Sequence, residues 1–79
     1  MKRAILTATI WREENAYVSL CPELGVASCG DNPEEAMSML KEAVELYLEN
    51  AQKLGIWEDI RPAIESTNHF TAPIEVTVP

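Results

Sequence analysis

Basic residues, histidine, cysteine and long apolar runs are all scarce in this chain of 79 residues, and each scarcity excludes a class of function. Six Lys and Arg stand against thirteen Asp and Glu, a formal net charge of -7. A nucleic-acid surface needs a Lys/Arg patch to meet phosphates, so DNA or RNA binding is disfavoured. No apolar run approaches the ~20 residues of a membrane span. Thr7, Thr9, Trp11 and Arg12 interrupt any signal-peptide core after the basic start. With only His69 to join Cys21 and Cys29, and neither CxxC nor HxxxH spacing, no zinc site is written in the sequence. His69 has no Ser, Cys or Asp at a motif spacing to activate, so a surface or strand-start histidine is the expectation. No cofactor is implied.

What is present is a globular composition, 47% hydrophobic, in one domain spanning residues 1–79. That length leaves room for a modest core and little for an enclosed active site, which favours a binding module over an enzyme. Ala4 to Trp11 alternates Ala4, Leu6, Ala8 and Ile10 with Ile5, Thr7, Thr9 and Trp11, the pattern of a strand with its all-apolar set turned inward. Arg12 to Asn15 turns, and Ala16 to Leu20 returns as the second arm of a hairpin. Cys21-Pro22-Glu23-Leu24-Gly25 is a tight turn, and Val26 to Cys29 a short third strand. This hairpin sets Cys29 near Tyr17 and leaves Cys21 four rungs away, about 13 Å, beyond the reach of a disulfide. Two free thiols and no signal predict a cytoplasmic protein.

Asn32, Pro33 and Glu35 spell a helix start as cap, first helical residue and back-reaching carboxylate. Ala36, Leu40, Ala43, Val44, Tyr47, Ala51 and Leu54 then recur at three- and four-residue intervals, a continuous apolar stripe ended by Gly55. Glu42, Glu45 and Glu49 interleave with Lys41 and Lys53, which marks a solvated helix face rather than a metal site. Trp57 to Ile64 reads as a helical turn or a packed loop pinned by Trp57, Ile60 and Ile64. His69 to Val78 alternates Phe70, Ala72, Ile74, Val76 and Val78 against Thr71, Pro73, Glu75 and Thr77, the pattern of a last strand, with Pro73 at an edge or bulge.

The expected fold is therefore α+β, in the order β-β-β-α-β, with one helix on a mostly antiparallel four-stranded sheet. One helix cannot cover both faces of such a sheet, so Trp11, Tyr17 and Ile5 are expected on an uncovered side that calls for a partner or a second copy.

The run Tyr17-Val18-Ser19-Leu20-Cys21-Pro22-Glu23-Leu24-Gly25-Val26, then Gly30-Asp31-Asn32-Pro33-Glu34-Glu35-Ala36, then Leu40-Lys41-Glu42-Ala43, resembles the HicB-like antitoxin family. Asn32 stands where that family usually has Thr or Ser, and caps equally well. The resemblance implies a partial ribonuclease-H-like sheet that binds a small basic HicA-type toxin, an enzyme that cleaves messenger RNA, and shields its active site. It does not imply nuclease activity in this chain, because Ala4 to Trp11 contains no acid to hold a metal ion. Full-length members usually carry a C-terminal DNA-binding segment, and the chain stops at Pro79, so operator binding is not expected. The partner is thus expected to be a small basic toxin, with the protein itself a homodimer or a multiple of dimers. Exposure and charge nominate Trp11, Glu13, Glu14, Tyr17 and Glu23 as contacts. The competing reading is a self-associating orphan domain with a structural or regulatory role and no toxin.

Overall fold

A computed structural model describes residues 3–66 and 69–79. Three strands, β1 (Thr9–Glu13), β2 (Ala16–Cys21) and β3 (Val26–Gly30), precede two helices, α1 (Pro33–Leu54) and α2 (Trp57–Glu65). The strands form one antiparallel sheet in the order β1-β2-β3. This corrects the expected four-stranded β-β-β-α-β sheet: the order is βββαα, and residues 69–79 lie outside any strand. The alternation in that segment is genuine, but alternation states only that a segment can be a strand; pairing depends on which edge it meets.

The first strand is also shifted, beginning at Thr9 rather than Ala4. Its register explains why. Thr9 pairs with Leu20, so the next rungs would set Ala8 against Cys21 and Thr7 against Pro22, which has no N–H for the ladder. The β1–β2 connection is a two-residue turn in which Glu14 takes φ 54°. Cys21 C=O closes the β2–β3 turn by accepting from the backbone N–H of Gly25 at 2.9 Å.

The helix signals operate as written. Asn32 Oδ1 accepts from Glu35 N–H at 2.7 Å, and Glu35 Oε1 accepts in return from Asp31 N–H at 2.9 Å. Pro33 occupies the first turn, and Gly55, at φ 73°, ends α1. On the solvated face Lys53 meets Glu49 at 3.4 Å. The stripe buries Ala36, Leu40 and Ala51, whereas Leu54 is exposed. The segment after Gly55 resolves as a helix; its Ile64 is buried and its Trp57 and Ile60 half-buried, and among the elements it touches only α1.

Small residues bring α1 close to the sheet. The Ser19 hydroxyl, fully buried in β2, donates to Ala36 C=O at 2.9 Å. Beside it, a Cβ built on Gly30 would lie 2.5 Å from Ala36 N and 2.8 Å from the Glu35 carbonyl carbon. Ser19, Ala36 and Gly30 thus form a seam in which the first turn of α1 rests almost on backbone. Tyr17, Ser19 and Cys21 share this helix-facing side of β2, while Val18 and Leu20 face the other way.

The seam gives an ordered expectation. Gly30→Ala should lower stability by about 2–3 kcal/mol, because the obstructing atoms are backbone and cannot swing aside. Gly25→Ala meets nothing within 4 Å but must hold φ 69°, at a cost of about 1 kcal/mol. Urea midpoints of the two variants test this, and equal midpoints would show that α1 does not need the close approach.

Candidate functional site

The sheet has one face under α1 and one with no helix on it. Register assigns the uncovered face two cross-strand rows, Thr9–Leu20–Ala27 and Trp11–Val18–Cys29. Val18 and Leu20 are half-buried, and Trp11 is 41% exposed at the β1 edge. The Trp11 indole Nε1 donates to Glu13 Oε1 at 3.1 Å, which holds the ring beside a carboxylate. Arg12 Nε donates to Glu14 C=O at 3.1 Å and braces the hairpin turn. Glu13, Glu14, Ala16 and Val18 line a shallow depression next to this corner. An aromatic ring held by one carboxylate, an apolar strip and a second carboxylate at the adjoining turn suit docking against another protein.

The structure does not gather all five nominated residues there. Trp11, Glu13 and Glu14 lie together. Tyr17 pairs with Arg12 and Gly30 and so points to the helix side, opposite Trp11. Glu23 has a different occupation. Its side chain is 8% exposed, and its carboxylate accepts from Thr7 N–H at 2.9 and 3.1 Å. His69 Nδ1 lies 2.8 Å from its Oε2, and the Cys21 thiol donates to Oε1 at 3.5 Å. Glu23 takes up the Thr7 N–H at the rung where Pro22 cannot continue the ladder. His69 Nε2 faces Ser66 C=O at 2.6 Å. Both ring nitrogens of His69 thus face oxygen acceptors. The sequence signal for this role was the Pro-Glu order at a strand end; nothing local pointed to His69 as the third party.

A cysteine, a carboxylate and a histidine in contact invite comparison with a nucleophilic relay, and the geometry argues against it. Cys21 Sγ reaches Glu23, not His69. Burial first, and the Glu23 carboxylate after it, push the Cys21 thiol pKa up, so the thiolate is suppressed rather than favoured. Among the described residues no cluster of three His, Cys, Asp or Glu side chains is arranged to hold a metal ion. No helix among them is long and apolar enough to cross a membrane.

Burial alone would raise the pKa of Glu23. The hydrogen bonds from Thr7 and Cys21 together outweigh it, and the carboxyl sits below its ordinary 4.5. A carboxylate depressed in the folded state adds stability at pH values above its unfolded pKa, and that stability is lost as pH falls through the folded value. Glu23→Gln should therefore cost about 1–2 kcal/mol near neutrality. The gap from wild type should shrink on acidification below about pH 4. Thermal melts of both proteins at several pH values check the trend; a pH-independent gap would assign the loss to packing instead.

No family model matches the chain, and no solved structure matches it. A protein of Helicobacter pylori strain J99, described as a UPF0150 protein, is 36% identical over 73 residues, which cover 91% of this chain and 94% of the relative. The match takes in the strands, the Pro-Glu-Leu-Gly turn and both helices rather than a single motif, and on that extent the chain is a member of the UPF0150 family.

Proposed function

We propose that this protein is a non-catalytic, antitoxin-like module that binds a small basic ribonuclease of the HicA type and occludes its RNA-binding surface. The observation that carries the reading is the uncovered sheet face, where Trp11 is exposed beside Glu13 and Glu14 on a chain of net charge -7. A toxin that grips RNA must present cations. Glu13 and Glu14 would meet them at the rim, and Trp11 with the Val18 strip would supply apolar contact. The resemblance of the Tyr17–Ala43 run to HicB-like antitoxins supports the choice of partner. The suppressed Cys21 thiol and the internal engagement of Glu23 support the non-catalytic half of the reading.

Co-expression with the product of the adjacent reading frame, where that encodes a small basic protein with a lone catalytic histidine, tests the proposal. Co-purification and relief of growth arrest are expected. Trp11→Ala should weaken the complex by about tenfold or more, and Glu13→Lys with Glu14→Lys should slow association most at low salt. Failure of the wild-type pair to co-purify, with growth arrest unrelieved, sinks the toxin assignment.

A further inference from the structure

Residues 70–79 are exposed along their whole length. Phe70 is 89% exposed, Ile74 84%, Val76 68% and Val78 80%, so four large apolar side chains stand in water within nine positions. All four belong to one face of the alternation, with Thr71, Pro73, Glu75 and Thr77 on the other. Among the described residues none from 70 to 79 takes part in a hydrogen bond or ion pair. The Cα radius of gyration is 14.3 Å, against about 12 Å for a compact chain of this length.

The root of the segment is held, because His69 is bound to Glu23 beside Thr7, two residues before β1. From there the chain leaves its own sheet. That sheet meanwhile has free edges at β1 and β3, each of which pairs only with β2. An unpaired β-type segment and an unpaired edge on the same chain are complementary, and between two identical chains the match is reciprocal: two segments, two β1 edges, one two-fold axis. We infer that residues 70–78 of one copy add to the β1 edge of a second copy, the two chains exchanging these segments in a symmetric dimer.

Two features choose β1 and a second copy over other occupants. The only charged residue in the segment is Glu75, and Arg12 of β1 is the only cation in any strand of the sheet. Pro73 lacks an N–H, which fits a strand that becomes the new outer edge with Pro73, Glu75 and Thr77 directed outward and Ile74, Val76 and Val78 inward. An edge blunted by proline also stops the addition at two copies instead of propagating a fibre.

Sedimentation of the full chain is expected to give twice 8.8 kDa. Val76→Pro removes an inward N–H and should return the protein to one chain length. Thr77→Pro, one residue along and outward, should leave the dimer intact. Helical circular dichroism should match wild type in both, because the substituted residues lie outside both helices. In a dimer mixed from isotope-labelled and unlabelled chains, cross-peaks should connect residues 74–78 of one chain with Thr9–Glu13 of the other. A monomeric wild type, a dimer indifferent to Val76→Pro, or cross-peaks confined to one chain overturns the exchange. No toxin is present in these measurements, so their failure leaves the antitoxin reading untouched.

Discussion

The carboxylate of Glu23 is the contact on which three separate stretches of chain depend. Pro22 ends the β1–β2 ladder by having no hydrogen to donate, and beyond that end the Thr7 N–H still needs an acceptor, whose absence would be a costly loss at the edge of a small core. Glu23 accepts it twice over and simultaneously receives His69 and the Cys21 thiol. One half-buried acid thereby joins the start of the first strand, the end of the second and the segment that follows α2. Its charge is tolerable because a backbone N–H, a thiol and an imidazole replace the water it has lost.

The remainder of the core is made of small side chains. Cys21, Ala36, Leu40, Ala51 and Ile64 are the buried apolar residues among those described, and Ser19 lies fully buried with them. Such a core works by closeness rather than by bulk. The Ser19–Ala36 hydrogen bond and the absent Cβ of Gly30 let α1 approach the sheet within backbone contact, so dispersion is gained along the whole seam. A chain of this length buries a modest share of its apolar surface in any fold. Trp11, Phe70, Ile74, Val76 and Val78 are among those left outside.

How far the sequence disclosed this structure depended on the range of each signal. The Pro-Glu-Leu-Gly turn, the Asn32 cap, the stripe from Ala36 to Ala51 and the stop at Gly55 act over four residues or fewer, and all four stand where the local chemistry directs them. The hairpin register came within one residue, Cys29 pairing with Val18 rather than Tyr17. In the first hairpin Trp11 pairs with Val18 and Tyr17 with Arg12, so Tyr17 lies on the helix side and Trp11 on the open face, because a strand changes face at every residue. The segment after His69 departs from the expected strand for a deeper reason: its alternation is intrinsic, whereas the choice of sheet edge is a property of distant chain. Glu23 was nominated by its charge as a surface contact, and only tertiary structure could reveal that Thr7 and His69 already claim it.

Strand β1 carries two distinct surfaces. Its face, with Trp11 and Glu13, looks away from α1; its edge lies in the plane of the sheet and offers backbone groups rather than side chains. Side-chain recognition on a face and hydrogen bonding along an edge make different demands, so a partner on one does not exclude a strand on the other. An added strand would extend the open face beyond Trp11 and shield one side of the indole from water, giving a ring now 41% exposed a firmer apolar backing. Self-association at the edge would then stiffen the face at which a basic partner docks, since a paired β1 loses the freedom of an edge strand. The coupling runs both ways: whatever orders the face must also favour the paired edge.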